Sequence, residues 1–342
     1  MNFKRPLVGI TMGDPAGIGP EVVVKALIRK NIYELCRPLV IGDGNVMAAA
    51  VGILKAECQI HLITDVDEAN FEYGVIDVLD LKNVDLKKLQ YGKVSALAGE
   101  AAFAAVEKAI SLAMEHRIDA TVTAPINKEA INMAGHHFSG HTEIYAHYTG
   151  ISDYAMMLVH ENFRVIHVST HVSLRQACDR VEKDRVFRVI MLANEACQKI
   201  GILTPKIGVA GLNPHAGENG LFGSEELQEI IPAIQEAKIM GVHVEGPIPP
   251  DSIFPKLRGG WYDIAVAMYH DQGHIPIKVV GFIWNASKNG WEDVSGINIT
   301  LGLPIIRSSV DHGTAFDLVG KRLASESSMI QAIEYGAKMA IL

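Results

Sequence analysis

Short apolar runs, each closed by a glycine or polar break and followed by a helical pattern, constrain this chain more than any other feature. Leu7–Thr11, Ala120–Thr123 and residues 39–42, 60–64 and 75–81 have the length of buried strands. Residues 22–30, 45–54 and 96–116 read as helices, the last with alanines, Val106, Ile110 and Met114 on one face. Strands alternating with helices predict an α/β fold with a mainly parallel sheet covered on both sides. With 342 residues, 49% of them hydrophobic, there is material for one large α/β unit or two lobes.

Past residue 136 the character shifts. Residues 136–148 carry His136, His137, His141 and His147, with Thr142 and Glu143 opening a helix. Residues 154–160 and 164–170, either side of Glu161-Asn162, predict a hairpin, so a second lobe has some antiparallel character. A helix over 181–200, a strand over 206–211 and a helix over 224–240 capped by Ser224 come next. Residues 264–268 form a buried-strand run that breaks at once into Tyr269-His270-Asp271-Gln272-Gly273-His274, with Gly273 read as a hinge. Residues 282–296, with Trp284 and Trp291, read as an excursion.

Charge narrows the function classes. Thirty-one basic against 39 acidic residues give −8, and no long basic run exists, which argues against nucleic acid as partner. An anionic substrate has to be met by local cations. The start MNFKRPLVGITMG lacks the apolar core of a signal peptide, and no apolar run is long enough to span a bilayer. Cys36, Cys58, Cys178 and Cys197 are scattered without a C-x-x-C pair, so reduced thiols and a cytoplasmic protein are expected.

His171, His215 and His270 each follow a strand-like run, and strand ends of a parallel sheet share one edge. Three imidazoles with an open position suit a divalent metal such as Zn²⁺ or Co²⁺; without a local ligand motif, three separate structural histidines stay equally open. Lys278 and Arg307 suit a substrate bearing phosphate and carboxylate, with Asn298 and Thr142 as neutral donors, although each is also an ordinary surface residue type. Residues 13–21 lack the G-x-G-x-x-G spacing and read as either a tight structural turn or an anion cradle.

Taken together, GDPAGIGPE at 13–21, GHTE at 140–143, STH at 169–171, NPHAGE at 213–218, MYHDQG at 268–273, NITLGLP at 298–304 and SVDHGTA at 309–315 resemble the 4-hydroxythreonine-4-phosphate dehydrogenase family. The resemblance implies a fold similar to isocitrate and isopropylmalate dehydrogenases, in two lobes with the active site in the cleft. The expected lobes are 1–133 with 309–342 on the NAD side, and 134–308 carrying metal, substrate and dimer contacts. It implies NAD and one divalent metal (Zn, Co, Mn or Mg), held by His171, His215 and His270. It places substrate contacts on His141, Thr142, Lys278, Asn298 and Arg307, and the dinucleotide on Asp311, His312, Gly313, Thr314 and Ala315. Asp251, Asp271 and His141 are the candidates for proton transfer. A homodimer with shared active sites is implied, so the three histidines need not come from one chain.

Residues 282–296 are an insertion relative to the family pattern, while His274 and residues 218–223 are more similar to a branch acting on D-threonate or D-erythronate 4-phosphate. That branch oxidises and decarboxylates its substrate to dihydroxyacetone phosphate and CO2. The vitamin B6 branch yields 3-amino-1-hydroxyacetone 1-phosphate and is the alternative. Two other classes stay open: a metal-dependent hydrolase, and a non-catalytic binder of phosphorylated ligands.

Overall fold

The structure, a computed structural model, describes residues 5–287 and 290–341, with side chains of 290–294 left out. Met1 to Lys4, on which part of the signal-peptide expectation rests, lie outside the described residues, as do Lys288 and Asn289 in the 282–296 excursion and Leu342.

The apolar runs become strands as their length demands. β1 (Leu7–Thr11) is buried at every position. It is followed by α1 (Gly19–Leu27), α2 (Lys30–Leu35), β2 (Arg37–Gly42), α3 (Gly44–Leu54), β3 (Gln59–Ile63) and β4 (Val75–Asp80). Then come α4 (Ala96–Met114), β5 (Ala120–Thr123), α5 (Lys128–Met133) and α6 (His141–Thr149). Asp43, Ser95 and Asn127 cap α3, α4 and α5 by accepting first-turn N–H groups, which fixes where each helix starts.

The chain continues through β6 (Ala155–His160), β7 (Phe163–His167), α7 (Leu174–Asp179), α8 (Lys183–Gln198), β8 (Ile207–Ala210), α9 (Ile231–Ile239) and β9 (Val244–Ile248). Next are α10 (Pro250–Arg258), β10 (Ile264–Ala267), α11 (His270–Gly281), the hairpin β11 (Phe282–Asn285) and β12 (Gly290–Val294), and β13 (Ile297–Leu301). β14 (Arg307–Val310) and α12 (Ser327–Ile341) end the chain.

Two compact units result: residues 1–152 with 303–341, and residues 153–302. In the first unit the strand order is β3-β4-β2-β1-β5-β14, all parallel. Phe103, Val106 and Ile110 of α4 pack there with Leu39 and Ile41 of β2, each side chain contributing about 1.5–3 kcal/mol on burial. In the second unit the order is β13-β6-β7-β10-β8-β9. Its β13, β6 and β7 pair antiparallel and the rest parallel, with the hairpin at Glu161-Asn162 as expected. The protein is therefore α/β with mainly parallel strands.

Several details differ from the sequence reading. Residues 134–152 and 303–308 belong to the first unit, not to the second lobe. The reason is aromatic: His136 stacks on Phe103 of α4 at 3.6 Å, Phe138 lies 5.9 Å from the same ring, and His147 packs on Phe138. The helix expected over 224–240 opens as a π turn, Glu226–Ile230, without a side-chain cap. No helix among the described residues is long and apolar enough to cross a membrane.

Candidate active site

In the second unit β10 lies between β7 and β8, parallel to both, so their carboxyl ends line one edge. His171, His215 and His270 follow those three ends. Gln272 ties two of them together: its side-chain oxygen accepts Met268 N–H at 2.7 Å and its amide donates to Gly211 O at 2.8 Å.

His270 is not in a loop. It is the first residue of α11, with Tyr269 as extended N-cap. Gly273, read as a hinge, is instead a packing glycine: a Cβ there would lie 2.3 Å from His167 Nε2. That close approach seats α11 directly on β7. The helix then stacks His274 on His270 at 3.6 Å, and His274 shares a hydrogen bond with His270 O at 3.0 Å. The His167 ring lies 4.7 Å from His274. Burial first, and then the neighbouring imidazoles, pull His274 down to about 3. Burial likewise pulls His167 down to about 4, so both are neutral near pH 7.

The His171 and His270 rings are 5.9 Å apart and line one cavity of about 470 Å³ with Thr170, Ser173, Tyr269 and Asp271. Asp271 Oδ1 is 2.6 Å from His270 Nδ1. A carboxylate on one ring nitrogen leaves the other as the candidate ligand atom, and these donor types suit a divalent ion. His215 does not line that cavity. It is exposed, at the start of a backbone stretch with φ between 46° and 77° over 215–219. Among the described residues no group of three His, Cys, Asp or Glu side chains is drawn together as a metal site.

The other sequence-predicted residues of this unit are more dispersed. Lys278 lies two helical turns beyond His270 on α11, its ammonium 4.1 Å from the Phe282 ring centre. Asn298 sits on β13, half-buried. Asp251 is exposed in the first turn of α10, where Ser252 Oγ donates to it at 3.2 Å, and it does not line the His171–His270 cavity.

The first unit gathers a different set. Arg307, the first residue of β14, is 2% exposed; its guanidinium donates to Thr123 Oγ1 at 3.0 Å and faces the Tyr145 ring at 5.5 Å. Burial pulls it down to about 10, which leaves it charged near neutrality. His141 and Tyr145 are one turn apart on α6, with Thr142 buried beside them. Burial and then Arg307 hold His141 well below the usual imidazole range, so it is neutral. His141 Nε2 and the Tyr145 hydroxyl are buried without a hydrogen-bond partner among the described residues. A buried guanidinium with neutral His141 and Tyr145 beside it, and the Glu143 carboxylate within electrostatic reach, is suited to an anion. Tyr145 was not visible in the sequence as a site residue; its α6 spacing from His141 is the signal that could have found it.

Residues 311–315 follow β14. Thr314 is buried and its carbonyl accepts Ile18 N–H at 3.0 Å, while Ala315 is left-handed with φ 40°. Asp311 N–H donates to Ser328 Oγ at 3.2 Å, and His312 shares a hydrogen bond with Gly313 O at 3.0 Å. A Cβ on Gly313 would meet nothing within 4 Å. The glycine-rich turn resolves as structural: Asp14 N–H goes to Pro125 O, Gly17 N–H to Asp14 O and Ile18 N–H to Thr314 O. Of the three, the Ile18 N–H ties the turn to the 311–315 loop.

Comparison with known proteins agrees with this arrangement. The family profile described as "Pyridoxal phosphate biosynthetic protein PdxA" matches residues 34–336. The D-threonate 4-phosphate dehydrogenase of Cupriavidus necator is 47% identical over 99% of both chains. Among solved structures, a 4-hydroxythreonine-4-phosphate dehydrogenase from Burkholderia phymatum is 47% identical, with 98% of each chain covered and a TM-score of 0.83. The corresponding enzyme from Klebsiella pneumoniae is 43% identical, covering 98% of this chain and 99% of its own, with a TM-score of 0.84. The chain belongs to the PdxA family and, like these relatives, is a dehydrogenase.

Proposed function

We propose that the chain catalyses NAD-dependent, divalent-metal-assisted oxidative decarboxylation of a four-carbon 3-hydroxy acid 4-phosphate. The substrate is 4-phospho-D-threonate or its D-erythronate counterpart, and the products are dihydroxyacetone phosphate and CO2. The observation that carries the reading is the His171–His270 pair, 5.9 Å apart, with Asp271 behind His270. The substrate choice is supported by full-length likeness to a D-threonate 4-phosphate dehydrogenase.

Each residue then has a task. His171, His270 and His215 hold the ion, which supplies Lewis-acid stabilisation of developing negative charge when bound. Asp271 keeps the His270 ring oriented. Arg307, with Thr142 and His141, fixes one anionic end of the substrate; its burial makes the charge strong where water is scarce. Lys278 and Asn298 take the rest of the substrate. Neutral His141, Asp271 and Asp251 are the groups for proton transfer, and only the first two sit among other candidate residues. The 311–315 loop receives the dinucleotide.

The working form is a homodimer with shared active sites, in the cytoplasm, where buried Cys36 and Cys197 stay as thiols. Oxidative decarboxylation of 4-hydroxythreonine 4-phosphate to 3-amino-1-hydroxyacetone 1-phosphate and CO2, with NAD taking the hydride, is the second reading, supported by the names of the solved neighbours. The test is NADH formation from both substrates side by side, with and without added Zn²⁺ or Mn²⁺. Turnover of the D-threonate compound alone is the expected result; turnover of the amino acid alone selects the second reading. Silence with both in metal-loaded protein refutes each.

A further inference from the structure

The stretch that carries His215 is held in a costly backbone form. Residues 215–219 all have φ between 46° and 77°, and four of the five are not glycine. A left-handed turn of L-residues persists only where something else over-determines it. Backbone bonds from Ala216 N–H to Asn213 O and from Phe222 N–H to Gly217 O close the turn, and Glu226, 2% exposed, anchors its start. Its Oε1 accepts Leu212 N–H at 2.8 Å and Asn213 N–H at 2.7 Å, and its Oε2 accepts the Asn213 amide at 3.0 Å. Every side-chain hydrogen bond of Glu226 among the described residues goes to this loop. The glycines are cut to its shape: a Cβ on Gly217 would lie 2.6 Å from Oε2, and one on Gly211 would lie 3.2 Å from Oε1. The π turn Glu226–Ile230 begins at this residue, and such turns concentrate where a helix is locally re-aimed for function.

We propose that Glu226 is the positioning residue of His215: its carboxylate anchors the backbone at 212–213, just before the left-handed 215–219 stretch, packs under Gly217, and so fixes where the imidazole is presented as a metal ligand. This rests on the reading of His215 as part of the metal set. Three N–H donors converge on its two oxygens, the Asn213 amide being shared with Glu225 Oε2 at 2.7 Å. A glutamine amide in the same place turns a donor toward Asn213, and an aspartate does not reach.

The test uses the full-length protein with Glu226→Gln, titrated with Co²⁺ and followed by its visible absorption, with His215→Ala alongside. Glu226→Gln is expected to weaken Co²⁺ binding about tenfold and change the spectrum, while hydrogen exchange in the metal-free protein quickens at 212–217. Parental Co²⁺ affinity and spectrum in Glu226→Gln, with His215→Ala impaired, overturn the proposal and leave His215 as a ligand. If His215→Ala itself binds Co²⁺ as the parent does, the ligand reading has failed and the proposal falls with it. Should Glu226→Gln fold poorly, Gly217→Ala presses on the same carboxylate from the loop side and is expected to weaken Co²⁺ binding in the same direction; parental binding in that folded variant also overturns the proposal.

Discussion

Replacing Asp14 with asparagine should stabilise the protein, and only above a definable pH. Asp14 is fully buried in the 13–21 turn. Its Oδ1 accepts Ala16 N–H at 2.8 Å, but Oδ2 has no hydrogen-bond partner among the described residues. Burial pushes the carboxyl from 3.8 up to about 6, with the Ala16 bond opposing. Because the folded value lies above the unfolded one, the folded state holds its proton longer as pH rises. Stability is therefore full below the unfolded pKa, declines between about pH 4 and pH 6, and stays reduced above. A gap of roughly two pKa units at 1.36 kcal/mol each amounts to about 3 kcal/mol. Asparagine keeps the Ala16 acceptor and carries no charge, so it resembles the protonated parent. Thermal unfolding of parent and Asp14→Asn across pH 4 to pH 8 should show equal midpoints at the acid end. At the alkaline end the variant should lead by roughly 6–12 °C, taking about 2–4 °C per kcal/mol. A difference independent of pH would refute the argument.

Gly273→Ala places a methyl 2.3 Å from His167 Nε2 and 2.7 Å from Val165 Cγ1, both buried. Overpacking of this kind costs about 1–3 kcal/mol, and a lowered unfolding midpoint together with weaker metal binding is expected, since α11 carries His270. An unchanged midpoint would mean that α11 does not rest on β7 through this glycine. Arg307→Lys loses the planar donor to Thr123 and the stacking on Tyr145, so KM for the phosphorylated acid should rise about tenfold or more. KM for NAD should hold. An unmoved substrate KM would remove Arg307 from the anion site.

Most of the strands and long helices were legible because their signals are local: run length, period and a capping residue. His270 was legible for a related reason, a buried strand ending abruptly in ligand-type residues. What failed to show were features created by distant neighbours. Nothing local distinguishes His136 and His147 from His141, yet two are absorbed by Phe103 and Phe138 while the third is buried near Arg307. Glu226 looked like any acid in a helix's first turn, where it suits the helix dipole. Its actual role depends on a loop that folds back across more than ten residues to meet it. Gly273 looked like a hinge because the histidine of β7 that fills its side is remote in sequence.

The first unit is assembled from both ends of the chain, and this sets an order on biosynthesis. The ribosome delivers 153–302 as one uninterrupted stretch, complete before Arg307 exists. Until Val310 has emerged, β5 has no parallel neighbour in β14, and until α12 follows, β1, β5 and β14 lack the helix that packs on them. A growing chain thus carries a finished middle and an unfinished beginning. That leaves one nascent sheet edge, β5, to be closed by β14 when residues 307–310 emerge.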